Sequence, residues 1–380
     1  MIRITNDEFD KYAKQVYDND HFRYNIVKEQ NCKWNTIYSS RNDGKSTGVM
    51  EEVLRRLFVD NSLFCYIRRF EKERSYRKVA RYFSEKCTTK MLNLICQRHY
   101  PQFDTFFFET DKLSNEIYIA AVDENGNIKK LFTVGYFTSL ERYSENKSGQ
   151  YPNVRTFLYE EFLATDRPEL DDEFEILMNV ISTYAREEDF IVICVGNSLN
   201  RRSSIFDFFD VNTDKIKVGE LLTFAYTRED GQQNTLCVYH VPASKAKEKN
   251  SINFYFGEKK RTNVIDSEWY VADYPPADNK AEYRAKFCFI VICKQIKLYV
   301  YLVMYKNKTL LFISNKREFF KTKTLTICDI TDVDKNWLSY EAADKIIIMF
   351  RNFVGLNFCV YSDNFAGDDF KIFLQEMRRL

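Results

Sequence analysis

"TIYSSRNDGKSTGVMEEVL", residues 36–54, is the stretch on which the fold turns. The β-prone run "KWNTIYS" (33–39) leads into Gly44-Lys45-Ser46. "TGVMEEVLRRLFV" (47–59) then repeats apolar residues at helical spacing. A strand, a tight turn and an amphipathic helix, in that order, form the setting of a phosphate-binding loop. There backbone N–H groups converge on a β-phosphate and the helix N-terminus adds positive potential. Lys45 would reach the β- and γ-phosphates, and the Ser46 hydroxyl would complete a Mg²⁺ shell. Ser39 stands where the first glycine of such a loop is usual, which the backbone tolerates if φ there stays negative. The candidate nucleotide contacts are therefore Arg41, Asn42, Asp43, Gly44, Lys45, Ser46 and Thr47, with Arg41 facing either the nucleotide or a neighbouring acid.

Two further strand ends belong with this loop. "VRTFLYEEFL" (154–163) is an apolar strand pattern ending in Glu160 and Glu161, and "DFIVICVGNS" (189–198) is another, ending in Gly196-Asn197. Alone, the two glutamates read as surface acids beyond a strand. In a parallel sheet, however, all three features fall at the carboxyl edge, where ligands bind. One acid would then associate with Mg²⁺, the next would polarise an attacking water, and the Asn197 amide would touch γ-phosphate and water. The combination points to a Mg²⁺-dependent nucleotide hydrolase.

The rest of the chain fits that frame. Strands alternate with helices to about residue 220, which predicts a mostly parallel α/β sheet covered on both faces. "YTREDGQQN" and "VPASKAKEKN" read as linker, and "KFCFIVICKQ", "KLYVYLVMYK" and "KTLLFISNK" as an antiparallel meander. The expected organisation is 1–225 as an ATPase domain, 226–265 as linker, and 266–380 as a smaller α+β domain. With 56 basic against 55 acidic residues, net charge singles out neither nucleic acid nor membrane as partner. Local basic groups carry that expectation instead: Lys294, Lys297, Lys306, Lys308, Lys316, Arg317, Lys321 and Lys323 in the smaller domain. The ten cysteines include no C-x-x-C pair and several sit in apolar runs, so buried thiols are expected rather than zinc ligands. "MIRITNDEFDKYAKQ" lacks the apolar core of a signal peptide, and no apolar run approaches the roughly 18 residues of a membrane helix. A soluble, intracellular protein with no membrane partner is expected.

Four stretches, "RNDGKS", "FCYIRRF", "KSGQYPNVRTFLYEEF" and "ICVGNSLNRRSSIFDFFDV", occur in a telling order. Over roughly residues 35–215 the chain resembles the DNA-packaging ATPases, large-terminase-like encapsidation proteins, of phi29-like small tailed bacteriophages. The resemblance implies a P-loop NTPase of the additional-strand, catalytic-glutamate class, RecA-like in its sheet. It implies a homo-oligomeric, pentameric ring on the portal vertex of an empty capsid, driving double-stranded DNA inward in the host cytoplasm. It assigns Mg²⁺ association to Glu160, where such proteins more often carry Asp, so contact through water is expected. Glu161 matches the catalytic glutamate. Lys147 and Arg186 match cations supplied in trans by a neighbouring subunit. "HFRYNIVKEQ" (21–30) falls where adenine is contacted, with Tyr24 as either a base platform or packing.

The meander followed by helix, strand and helix resembles the RNase-H-like nuclease domain of terminases. Its metal chemistry needs a carboxylate within the first strand, and "KFCFIVICKQ" has none. A vestigial nuclease that binds nucleic acid or the capsid vertex without cutting is therefore expected. A structural packaging RNA is a further partner that the resemblance allows. The competing reading is a non-catalytic nucleic-acid or capsid adaptor with a degenerate loop, which Ser39 and Glu160 keep open.

Overall fold

The computed structural model describes residues 2–17, 22–39, 43–71, 76–84, 86–111, 113–146, 151–163, 169–186, 189–197, 202–227, 231–242, 274–277, 280–293, 296–328 and 336–378. The chain divides into two compact units, Met1–Trp269 and Tyr270–Leu380.

In the first unit α1 (Asn6–Val16) starts at a capping box: the Thr5 hydroxyl accepts from the Glu8 N–H, and the Glu8 carboxylate accepts from the Thr5 N–H. A short α2 (Asn25–Lys28) precedes β1 (Trp34–Ser39). Every residue of β1 is buried, as a strand covered on both faces requires. Then follow α3 (Lys45–Phe58), β2 (Leu63–Arg68), α4 (Tyr76–Phe83), α5 (Lys86–His99), β3 (Thr105–Asp111), β4 (Glu116–Val122) and β5 (Ile128–Ser139). After them come β6 (Val154–Glu160), α6 (Glu173–Ala185), β7 (Ile191–Asn197), α7 (Ser204–Phe208), β8 (Leu221–Thr227) and β9 (Gln233–His240).

Among the described residues these strands form one nine-stranded sheet in the order β3-β4-β5-β2-β6-β7-β1-β9-β8. From β5 to β9 every neighbouring pair is parallel; β3, β4 and β8 complete the edges antiparallel. The loop strand β1 and the acid strand β6 are not neighbours, because β7 lies between them. That inserted strand defines the additional-strand arrangement. Its register sets Ser39 opposite Asn197, and Glu160 opposite Val195. The ends of β1, β2, β6 and β7 therefore share one carboxyl edge.

The linker boundary needs correction. β9 pairs with β1 and buries Leu236, Cys237 and Val238, so the first unit's sheet extends to residue 240 rather than closing at 225. Polar residues flanking a half-buried strand disguised it. The stretch 243–265 of the expected linker lies outside the described residues.

The second unit holds β10 (Arg284–Cys293), β11 (Ile296–Tyr305), β12 (Lys308–Ser314), β13 (Lys323–Ile327), β14 (Trp337–Leu338), α8 (Asp344–Gly355), β15 (Cys359–Tyr361) and α9 (Asn364–Glu376). Its sheet order is β14-β13-β10-β11-β12-β15. β10, β11 and β12 form the expected antiparallel meander, and β13 then runs parallel to β10. Three antiparallel strands with later strands added parallel beside the first make an RNase-H-like sheet, with β15 appended on the far edge. Alternation along β10 sends Phe289 and Val291 toward Ile347, Phe350, Phe370 and Phe373 of the helices, and Cys288 toward Tyr301 and Phe312 on the opposite face. Among the described residues no helix is long and apolar enough to cross a membrane.

Candidate active site

The turn after β1 delivers Gly44 at φ 79°, in the left-handed region that glycine enters without steric cost, and α3 starts on the next residue. Ser39 closes β1 with negative φ, so the missing glycine costs the loop no backbone strain. Gly48 fits α3 tightly against the chain: a Cβ there would lie 2.4 Å from the Phe22 carbonyl oxygen.

The Lys45 side chain is folded back over the strand end rather than extended into solvent, and the residue is 5% exposed. Its ammonium donates to the Ser39 hydroxyl at 2.8 Å, the Ser39 carbonyl at 3.3 Å and Asn197 Oδ1 at 3.4 Å. Ser39 in turn donates its hydroxyl hydrogen to Asp43 Oδ2 at 2.8 Å. The serine that replaces glycine thus links the lysine to the loop's own aspartate. The next residue of the helix, Ser46, donates to Glu160 Oε1 at 2.8 Å. Thr47 is half-buried in the same first turn.

Glu160 is surrounded by donors. Tyr82, on α4, donates to the same Oε1 at 2.5 Å, and Arg68 Nη1 stands 3.6 Å from Oε2. Burial pushes the Glu160 carboxyl above the ordinary glutamate range, Tyr82, Arg68 and Ser46 pull it back, and the neighbouring Glu161 charge pushes it up again. Glu161 sits one residue beyond the strand, at φ 60°, a left-handed conformation unusual for a residue with a side chain. Its Oε2 accepts from Arg68 Nη2 at 2.5 Å. Arg68 therefore bridges both acids.

Oxygen donors dominate this cluster, and that suits Mg²⁺. Ser46 and Glu160 already converge within hydrogen-bond distance. Among the described residues no group of three or more His, Cys, Asp or Glu forms a cage. Mg²⁺ is commonly held by one or two protein oxygens together with substrate phosphates. The residues present fit a cation that arrives with a nucleotide.

The structure brings together Asp43, Gly44, Lys45, Ser46, Glu160, Glu161 and Asn197 from the sequence-derived set. Arg41, Asn42 and Lys147 lie outside the described residues, as does Lys294. Arg186 is exposed and caps the C-terminus of α6. Since α6 carries the chain from the carboxyl end of β6 back to the start of β7, Arg186 stands at the opposite edge of the sheet from the loop. Tyr24 is 4% exposed within the apolar core, so it packs under the sheet and offers no platform for a base. The cysteines are buried except Cys87, which is half-buried.

Two residues that contact these acids carry no site assignment from the sequence. Tyr82 reads only as the apolar face of a helix, and Arg68 reads equally as phosphate contact or ion pair; neither spacing reveals partners 78 and 93 residues away.

No known protein-family model matches the chain, and no curated protein is detectably similar. Solved structures do share its fold. The bacteriophage phi29 viral genome packaging motor assembly superposes with TM-score 0.52 at 16% identity, over 94% of this chain and 98% of that one. The phi28 gp11 DNA-packaging motor superposes with TM-score 0.52 at 19% identity, over 95% and 97%. The fold of this chain, a P-loop ATPase-type sheet followed by a second α+β unit, is the fold of the phi29 and phi28 packaging motors.

Proposed function

We propose that this chain is the ATP-hydrolysing subunit of a viral DNA-packaging motor, working as a pentameric ring at the portal vertex of an empty capsid in the host cytoplasm. The observation that carries the proposal is the meeting of Lys45, Ser46, Glu160, Glu161 and Asn197 at one carboxyl edge, in the additional-strand order. The fold likeness to packaging motors supports the particular use.

In this reading the phosphates of ATP displace Lys45 from Ser39 and Asn197, and the α3 N-terminus receives them. Ser46 directly, and Glu160 through water, would hold Mg²⁺, which when bound neutralises charge on the β- and γ-phosphates. Glu161 orients the attacking water and takes its proton, while Asn197 contacts water and γ-phosphate. Lys147 and Arg186 act on a neighbour's nucleotide, which suits the position of Arg186 at the far edge of its own sheet. A cation delivered in trans favours the transition state in which charge spreads over the γ-phosphoryl oxygens.

The second unit binds without cutting, since β10 supplies no carboxylate for nuclease metals. Exposed Lys297, Lys306, Lys308, Lys316, Arg317, Lys321 and Lys323 line its strand ends and turns. They suit double-stranded DNA, the capsid vertex or a structural packaging RNA, all phosphate-rich or acidic surfaces. Lys129 and Lys130, exposed on the β4–β5 hairpin yet paired with Asp123 and Glu116, are candidate DNA contacts within the ring.

Mg²⁺-dependent ATP hydrolysis stimulated by double-stranded DNA is the first test. An adaptor with a degenerate loop would bind without turnover. ATP-dependent protection of DNA from nuclease, obtained only when empty capsids are added, then separates a packaging motor from another translocating ATPase.

A further inference from the structure

The residue after β2, Arg69, plays no part in the chemistry assigned above, yet it is 4% exposed and makes four hydrogen bonds. Its Nε and Nη2 grip the Glu173 carboxylate at 2.6 and 2.9 Å. Its Nη1 donates to the Glu161 carbonyl at 3.1 Å, and Nη2 also donates to the Phe162 carbonyl at 2.6 Å. One planar guanidinium thus ties two successive peptide groups of the turn carrying Glu161 to the first residue of α6.

The other end of that tie is fixed as firmly. Glu173 also accepts from the Tyr159 hydroxyl at 2.7 Å and from the Leu170 N–H at 3.0 Å, and its side chain is fully buried. A carboxylate at a helix N-terminus is stabilised by the helix dipole. The turn presses on β7 from the opposite side: the Phe162 N–H donates to the Val195 carbonyl at 3.2 Å. A Cβ on Gly196 would come within 2.9 Å of Phe162 and Leu163.

These contacts have one consequence in common. Glu161 holds a left-handed backbone at φ 60°, which a residue with a Cβ adopts only at a steric cost. Strained backbone of this kind persists when its surroundings over-determine it. We infer that Arg69 is a positioning residue for Glu161: by clamping the Glu161 and Phe162 carbonyls to buried Glu173, it fixes the direction in which the Glu161 carboxylate leaves the strand. Five N–H donors in a rigid fork make arginine able to do this, whereas an ammonium cannot span both carbonyls and the carboxylate at once.

The inference rests on Glu161 being the base, and the test keeps the two claims apart. Arg69→Lys retains the charge pair but loses the fork. Because an isolated buried charge would destabilise the fold, the double variant Arg69→Gln with Glu173→Gln removes both charges together. Thermal melting confirms folding, calorimetry gives Mg²⁺–ATP affinity, and steady-state rates give kcat and KM, with Glu161→Gln measured beside them. A catalytic group displaced by about 1 Å loses up to about 10²-fold in rate. In both variants kcat should fall at least about ten-fold, with ATP affinity and KM within about two-fold of wild type. Wild-type kcat in the folded double variant overturns the inference, as does a loss of ATP affinity that accounts for the whole effect. If Glu161→Gln itself keeps full turnover, the assignment of the base fails instead.

Discussion

The two sheets of this molecule treat polar residues in opposite ways. At the core of the first lie Asp43, Lys45, Glu51, Glu52, Arg55, Arg69, Glu160 and Glu173, all charged and all buried. Among the described residues of the second unit the buried charged residue is Asp369, on α9, while β10, β11 and β12 bury apolar side chains. Burying charge is costly unless it is paired, so a fold concentrates it where chemistry or precise positioning repays the cost. On the proposed reading the first sheet carries a reaction site. The second has the anatomy of a platform whose chemistry is confined to its surface.

That contrast predicts where substitutions will hurt and how. Lys45→Ala removes the cation that faces Ser39 and Asn197, and should lower kcat/KM for ATP by about 10²- to 10³-fold in steady-state assays. Lys323→Ala, an exposed cation of the second sheet, should leave ATP turnover unchanged in the absence of DNA and weaken only nucleic-acid binding, more at low salt than at high. Equal losses from both changes would break the contrast.

The two units can also be compared at a crowded helical glycine in each. Gly48→Ala drives a methyl group against the Phe22 backbone carbonyl, which has little room to yield; about 1–3 kcal/mol should be lost in urea melts, along with ATP affinity. Gly367→Ala meets the Tyr274 ring, with Cγ 2.3 Å from the added Cβ. Cγ is the ring's point of attachment, so the whole Tyr274 ring must shift; stability should fall by about 1–3 kcal/mol, with ATP affinity untouched.

A smaller effect concerns pH. Burial, and then the nearby charge of Glu173, push the Glu169 carboxyl up to about 7. A carboxyl raised on folding keeps its proton longer in the folded state, so its contribution favours folding at acid pH. That contribution is lost as pH climbs from the ordinary glutamate range toward 7. Comparing melting temperatures of wild type and Glu169→Gln should show the variant gaining on wild type between pH 5 and 8. A difference that stays constant with pH would show that Glu169 ionises normally in the folded protein.

Much of the carboxyl edge around the loop is legible in the sequence, because local signals and long-range geometry agree there. A β-prone run, Gly44-Lys45-Ser46 and a helical repeat locate the loop. Apolar runs ending in Glu160-Glu161 and Gly196-Asn197 mark strands whose parallel pairing brings them to it. The legibility stops where meaning depends on a distant partner. Arg68 and Arg69 are adjacent, yet one bridges Glu160 and Glu161 while the other clamps Glu173, 104 residues away. Tyr82 shows a helix face and hides its hydrogen bond to Glu160. The polar residues on either side of β9 read as linker, and only its pairing with β1 places it in the sheet, one strand in from the edge. Tyr24 shows the converse: an aromatic in the right region, claimed by the core.

The most direct test of the account is steady-state hydrolysis of Mg²⁺–ATP by wild type and Glu161→Gln, with and without double-stranded DNA, alongside ATP binding by calorimetry. The account predicts DNA-stimulated turnover in wild type, and in the variant a loss of about 10²- to 10⁴-fold with ATP still bound. Undiminished turnover in Glu161→Gln would contradict it, because the residue held by Arg68 and Arg69 would then not be the base.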